Sequence, residues 1–121
     1  LHARDGLSDE QALLLTDALA TSYFGLTRAE PKPGGTVAII GLGPIGLLGI
    51  ELAFLLGASR VFAIDPVASR RAMAERLGAI ALAPGPELVP QLRELTGGRG
   101  AQSVFEASGA SSAIASALPL V

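Results

Sequence analysis

Residues 37–46 read Val37-Ala38-Ile39-Ile40-Gly41-Leu42-Gly43-Pro44-Ile45-Gly46, and this stretch decides the fold. Its first four residues are apolar and mostly β-branched, which is typical of a buried strand. The glycines then mark a turn, and Pro44 suits the first turn of a helix because its missing N–H has no partner there in any case. The stretch therefore predicts a strand, a glycine turn and the start of a helix.

The glycine turn is suited to binding a diphosphate. A helix N-terminus presents unpaired N–H groups and the positive end of the helix dipole, so it binds an anion without any basic side chain. We assign Gly41 to the tight turn, Gly43 to close approach of the diphosphate and Gly46 to close packing of the helix on the strand. The motif alone is weak, because glycine turns also serve purely structural purposes.

Asp65 supplies the second part of a dinucleotide signature. It follows Gly46 by 19 residues, at the end of the second predicted strand, Arg60 to Ile64. A carboxylate there can accept hydrogen bonds from both hydroxyls of an adenine ribose and would repel a 2′-phosphate, so we predict NAD rather than NADP. Arg70 can reach the same ribose or a phosphate. Plainer roles stay open, with Asp65 capping the next helix and Arg70 as a solvated charge.

The rest of the chain alternates helices with short apolar strands. Ser8 begins a helix with a capping box, which we expect to run to about Ser22. Uniformly apolar strands separated by helices indicate an α/β fold, here a Rossmann-type doubly wound parallel sheet of about four strands in the order 3-2-1-4. The helix after Pro44, apolar apart from Glu51, should be buried on all sides. We expect strands at 36–40, 60–64, 79–83 and 101–106, and further helices at 44–56, 67–77, 87–96 and 111–118.

Composition limits the possible functions. The 121 residues, half of them apolar, can bury the core of one domain. A net charge of −2, with nine scattered Lys and Arg residues, excludes nucleic acid as a partner. The absence of cysteine excludes disulfides and cysteine-ligated metal within the chain, and we expect a cytoplasmic protein. Residues 37–58 are apolar enough for a membrane span, but their glycines, Pro44 and Glu51 argue against one.

Several segments along the chain form one pattern. They are Asp17-Ala18-Leu19-Ala20-Thr21-Ser22-Tyr23, Pro33-Gly34, the Gly-Pro variant of the glycine turn, Asp65, Arg70, Gly78-Ala79 and Phe105-Glu106-Ala107-Ser108-Gly109. This pattern resembles the zinc-dependent medium-chain alcohol dehydrogenases and covers almost the entire chain. The resemblance implies an oxidoreductase that transfers hydride between an alcohol and NAD. It also implies a small alcohol or aldehyde as substrate and a homo-oligomer, either dimer or tetramer.

The same resemblance implies roles for individual residues. Asp17 matches the last ligand of the catalytic zinc, which is Cys in some members and Asp or Glu in others. Thr21 matches the residue beside the nicotinamide, and Ala107 and Ser108 match the loop that follows strand four along the cofactor. Asp65 and Arg70 match the adenosine side. The residues that match the diphosphate turn are Gly41, Gly43, Pro44, Ile45 and Gly46.

The chain departs from the family pattern in ways that predict a fragment. The first zinc ligand and the Gly-His-Glu segment of an N-terminal catalytic domain are absent from the sequence, and His2 lies in no such segment. One carboxylate cannot hold a catalytic zinc, which needs about three protein ligands. We expect 1–30 to be a helical connection and 31–121 a partial NAD-binding domain, inactive alone and without its last two strands. Gln102 replaces an Asp common among relatives, so the hydrogen bonding before strand four is open.

Three other functions stay open at this point. A zinc-free quinone reductase belongs to the same superfamily, and a non-catalytic NAD(H)-sensing module could use the same turn and acid. A methyltransferase also pairs a glycine loop with an acid after its second strand. The Asp17 to Thr21 segment favours the enzyme over the sensor, whereas Pro44 and Gly46 favour a diphosphate over a sulfonium ligand.

Overall fold

A parallel sheet of four strands forms the centre of the protein, in a computed structural model that describes residues 6–121. The strand order is β3-β2-β1-β4, which confirms the predicted topology. The strands are β1 (Thr36–Ile40), β2 (Arg60–Ile64), β3 (Ile80–Leu82) and β4 (Ser103–Glu106). The helices are α1 (Asp9–Thr16), α2 (Ala18–Arg28), α3 (Pro44–Leu55), α4 (Ala68–Arg76), α5 (Leu88–Leu95) and α6 (Ser111–Ala117), followed by a short 3-10 helix at Leu118–Leu120.

Both faces of the sheet carry a hydrophobic core. Side chains alternate along a strand, so β1 sends Val37 and Ile39 to one face, where they join Ile50 of α3 in one cluster. Ala38 and Ile40 belong to the cluster on the other face, which also contains Leu92 of α5. Burial on both sides explains why the central strands are apolar without interruption.

The N-terminal helical segment consists of two helices, so the prediction of one helix from Ser8 to about Ser22 is wrong. The capping box is present, since Ser8 Oγ accepts the Gln11 N–H and the Gln11 side chain accepts the Ser8 N–H. Asp17 then breaks the helix with φ −135° and ψ −64° and occupies the N-cap position of α2, where its side chain accepts the Thr21 hydroxyl and no backbone N–H group of that helix. Helix α2 continues to Arg28 because Ser22 and Leu26 give it a buried face.

Helix α3 is buried only on the side that faces the sheet and α2. Its buried residues are Gly46, Gly49, Ile50 and Ala53. Leu55 is 82% exposed, so the prediction of an all-round buried helix is wrong on that side, where no described element covers it. None of the helices in residues 6–121 has the length and apolar character needed to cross a membrane.

Gln102 joins the beginnings of β1 and β4. Its side-chain Oε1 accepts the N–H of Thr36 at 3.0 Å, and its own N–H donates to the Thr36 carbonyl at 3.0 Å. The register that follows pairs Ile40 with Glu106 at the other end of the two strands. The Gln102 amide therefore supplies the acceptor before β4, where the sequence left the hydrogen bonding open.

Candidate functional site

The carboxyl ends of the strands open onto a cavity of about 720 Å³. Strand β1 lies between β2 and β4. From β1 the chain continues to β2 and β3 on one side of the sheet and then crosses to β4 on the other side. In open α/β sheets, ligands bind at the carboxyl edge beside such a switch point. Six of the predicted site residues line the cavity, namely Gly41, Gly43, Asp65, Arg70, Ala107 and Ser108.

The three glycines of the turn occupy different environments. Gly41 has φ +89°, and a Cβ there would lie 2.8 Å from the Ser108 nitrogen. A Cβ on Gly46 would overlap the Gly41 carbonyl oxygen, so this glycine allows α3 to start against the end of β1. Gly43, the N-cap of α3, has no protein atom within 4 Å of its Cβ position. A ligand can therefore approach the backbone at Gly43.

Asp65 is buried and connects the glycine turn to the end of β2. Its side chain is 2% exposed. Oδ2 accepts the N–H of Leu42 at 2.8 Å, and Oδ1 accepts the N–H of Val67, the N-cap of α4, at 2.8 Å. Asp65 therefore closes the turn before α4 but accepts no N–H group from within that helix. Because each carboxylate oxygen has two lone pairs, each retains one for a ligand hydroxyl.

Two arginines of α4 surround this acid. Arg70 Nη1 lies 3.6 Å from Asp65 Oδ2, and the Arg70 side chain is 53% exposed at the cavity wall. Arg71, which the sequence analysis missed, donates from Nη1 to the carbonyl oxygens of Asp65 and Pro66 at 2.7 and 2.8 Å. Arg71 therefore fixes the path of the chain between β2 and α4, while Arg70 adds a cation to the cavity.

The loop after β4 is held by Glu106, a contact that the sequence analysis also missed. Glu106 Oε1 accepts the N–H of Ser108 at 2.7 Å and the Ser108 hydroxyl, and Oε2 accepts the N–H of Gly109 at 3.1 Å. Ser108 Oγ in turn accepts the N–H of Ala110 at 3.1 Å. The loop that carries Ala107 and Ser108 therefore has a defined shape in the cavity wall.

The cavity has a second wall that the sequence analysis did not assign. Pro84 and Gly85 follow β3, and Leu88 and Val89 begin α5. The predicted strand order already places the end of β3 beside the end of β2, and that signal could have found them. The remaining unassigned lining residues are Ile40, Ile64, Pro66, Ala110, Ser112, Ala113, Ser116 and Pro119.

Asp17 and Thr21 lie outside the lining of this cavity. Both are exposed, and Asp17 Oδ1 accepts a hydrogen bond from Thr21 Oγ1 at 3.0 Å. Residues 6–121 contain no group of three or more His, Cys, Asp or Glu side chains placed to hold a metal ion. The described residues therefore do not form a complete zinc site, and His2 lies outside them.

The sheet order, the glycine turn and the crossover helices define a Rossmann-type α/β protein. The family model described as "Zinc-binding dehydrogenase" matches residues 44–121, and the chain belongs to this family. Membership implies a nicotinamide dinucleotide, NAD or NADP, and a zinc ion in the intact enzymes. The cavity fits such a dinucleotide, because it joins an open helix N-terminus to an acid and to apolar walls.

Individual relatives agree with this assignment. A probable zinc-binding alcohol dehydrogenase of Mycobacterium tuberculosis is 43% identical to this chain. The match covers the whole of this chain and 31% of the relative's length. An NADP-dependent isopropanol dehydrogenase of Clostridium beijerinckii is 32% identical to this chain. The match covers 93% of this chain and 32% of the relative's length. The solved structure of an alcohol dehydrogenase from Thermus sp. ATN1 has a TM-score of 0.92 and 39% identity, covering 100% of this chain and 35% of that one. The chain thus spans about a third of the length of these relatives.

Proposed function

We propose that the chain is the NAD-binding part of a zinc-type alcohol dehydrogenase, whose intact form transfers hydride between a small alcohol and NAD. One observation carries the proposal: a single cavity combines the glycine turn, Asp65 and the loop after β4. The family match and the relatives named alcohol dehydrogenases support the reaction. They do not favour a quinone reductase, a sensor or a methyltransferase.

The start of α3 would bind the diphosphate through its backbone. The first hydrogen bond of the helix runs from the Leu47 N–H to the Gly43 carbonyl at 2.9 Å. The N–H groups of Ile45 and Gly46 precede it and have no partner within the helix, and Pro44 has no N–H. These two donors and the helix dipole face an anion beside Gly43. Ile45 and Gly46 would thus contribute through their backbone N–H groups, although neither residue is among those that line the cavity.

Asp65 would select NAD over NADP. Two backbone N–H groups hold its carboxylate in place, so it cannot turn away from a 2′-phosphate. Repulsion between a carboxylate and a phosphate about 4 Å apart costs on the order of a few kcal/mol at a partly buried site. Arg70 offsets a part of this charge from 3.6 Å. The free oxygen lone pairs of Asp65 would accept the two ribose hydroxyls of NAD.

The remaining roles rest on the resemblance. Asp17 would supply one ligand of a zinc ion whose other ligands lie outside residues 6–121, and Thr21 would lie beside the nicotinamide. In this arrangement 1–30 connect to a catalytic domain and 31–121 form the larger part of the cofactor domain. We also propose a cytoplasmic, homo-oligomeric enzyme with a small alcohol or aldehyde as substrate.

Cofactor titration of the intact protein tests this function. We expect calorimetry to show NADH binding at least about tenfold tighter than NADPH, given the repulsion at Asp65. Addition of a small alcohol and NAD should produce NADH. Binding of S-adenosylmethionine without NADH would instead identify a methyltransferase. NADH binding without turnover in the zinc-loaded protein would point to a sensor, and NADH-dependent reduction of a quinone without zinc would point to a quinone reductase.

A further inference from the structure

Glu106 organises the loop that follows β4 through a single carboxylate. It accepts hydrogen bonds from two consecutive backbone N–H groups, of Ser108 and Gly109, and from the Ser108 hydroxyl. The Ser108 hydroxyl oxygen in turn accepts a hydrogen bond from the N–H of Ala110. Hydrogen bonds to an ionised acceptor are roughly twice as strong as neutral ones, so this acid dominates the local conformation. Gly109, with φ +68°, allows the reversal that brings its N–H back to the carboxylate.

The position of this loop determines the shape of the cavity beside the glycine turn. The Ala107 N–H donates to the Ile40 carbonyl at 2.8 Å, which places the loop directly after the β1 pairing. The Cα of Ser108 lies 2.9 Å from the position of a Cβ on Gly41, so loop and turn touch. Ala107, Ser108 and Ala110 line the cavity, whereas Glu106 does not.

The Ser108 hydroxyl takes part in this network as both donor and acceptor. Its hydrogen points to Glu106 and one of its lone pairs accepts the Ala110 N–H. The hydroxyl therefore has no hydrogen left to donate to a ligand. Ser108 contributes to the cavity wall through its backbone and Cβ, which makes the placement of the loop more important than the chemistry of the serine.

We propose that Glu106 is a positioning residue for the cofactor, which sets dinucleotide affinity by holding the 107–110 loop against the glycine turn. The proposal rests on the proposed function, because it assigns a dinucleotide to this cavity. Glu106 itself touches neither the cofactor nor the reacting atoms. Loss of its carboxylate releases three donors and allows the wall to move away from the bound cofactor.

Substitution of Glu106 in the intact protein tests the proposal. For Glu106→Ala we expect NADH to bind about tenfold more weakly, corresponding to a net loss of one or two hydrogen bonds of ordinary strength. The KM for NAD should rise, whereas kcat at saturating NAD and the KM for the alcohol should stay the same. Glu106→Gln retains one acceptor oxygen. Because neutral hydrogen bonds are roughly half as strong as charged ones, its loss of NADH binding free energy should be roughly a third to a half of the loss in Glu106→Ala. Glu94→Ala and Glu94→Gln make the same changes at an exposed glutamate of α5 outside the cavity lining, and should bind NADH like the wild type.

A second measurement is independent of the cofactor. Hydrogen exchange at the amides of Ser108, Gly109 and Ala110 should accelerate by about tenfold or more in Glu106→Ala without NADH, because their acceptors are lost or displaced. Unchanged exchange, or unchanged NADH affinity in Glu106→Ala, would overturn the proposal. If the alanine variant does not fold, the glutamine variant decides by the same two criteria. A wild-type protein that fails to bind NADH would overturn the proposed function, while exchange would still report whether Glu106 holds the loop.

Discussion

Asp65 combines two physical roles in one carboxylate group. Its oxygen atoms hold the Leu42 N–H of the glycine turn and the Val67 N–H before α4. Its negative charge faces the cavity beside Arg70. The first role stabilises the site whether or not a cofactor is bound, and under the proposed function the second would select which cofactor binds. A substitution that removes the charge but keeps one oxygen therefore removes the second role and weakens the first.

We expect Asp65→Asn to shift the cofactor preference and also to lower stability, because its side-chain NH2 group would face one of the two backbone N–H groups that the carboxylate accepts. The ratio of NADPH to NADH dissociation constants should fall by about tenfold or more, because the repulsion of a 2′-phosphate is removed. Asp65→Ala should also lower the free energy of unfolding by about 2–4 kcal/mol, since two buried N–H groups lose a charged acceptor. Cofactor titration and urea denaturation measure the two effects, with Glu75→Gln on the exposed side of α4 as the control. An unchanged cofactor ratio in Asp65→Asn would contradict the selective role.

At the scale of elements, the junction of β1 and α3 contains two glycines with opposite requirements. A Cβ on Gly46 would overlap the Gly41 carbonyl oxygen, whereas a Cβ on Gly43 meets no protein atom within 4 Å. The first position is limited by the protein, whereas the second would be limited by the proposed ligand. The same substitution should therefore damage folding at one position and binding at the other.

Gly46→Ala should destabilise the protein by about 3 kcal/mol or more, because α3 must move away from the sheet to relieve the overlap. Gly43→Ala should cost at most about 1 kcal/mol, the difference between Gly and Ala at an N-cap. Its methyl group would nevertheless lie where the diphosphate approaches the backbone. NADH binding should therefore weaken by about tenfold or more, because hydrogen bonds between the diphosphate and the backbone would be lost. Thermal unfolding and NADH titration of both variants check the pair. Normal NADH affinity in a folded Gly43→Ala protein would argue against a diphosphate at this turn.

The elements also show which features a sequence can predict. The bounds of β1 and β2 follow from apolar runs between turn residues, and the order 3-2-1-4 follows from the dinucleotide-binding fold that the glycine turn indicates. The helix break at Asp17 was missed because Asp is compatible with both a helix interior and an N-cap, and the buried face of Ser22 and Leu26 decides between them. The Glu106 network was missed because it needs a glycine reversal and a close approach to Gly41, which no periodicity reports.

At the scale of the whole molecule, the proposed function would separate the zinc chemistry from cofactor binding along the chain. The described residues assemble one cavity suited to a dinucleotide, but no group of three metal-ligating side chains. Asp17 is exposed and its described side-chain hydrogen bond comes from Thr21. The chain spans about a third of its relatives' length, which leaves ample room for further ligands in the proposed intact enzyme.

We therefore expect the 121-residue chain alone to oxidise no alcohol, with or without added zinc. One carboxylate falls short of the roughly three protein ligands that a catalytic zinc requires, so equilibrium dialysis should find no stoichiometric zinc on the chain. The intact protein should retain zinc and reduce NAD when a small alcohol is added, and Asp17→Ala there should lower both zinc content and kcat. Glu51→Ala, at an exposed acid of α3, provides the matched control. Zinc-dependent turnover by the 121-residue chain would place the reactive centre within these residues and overturn the assignment of a cofactor-binding part.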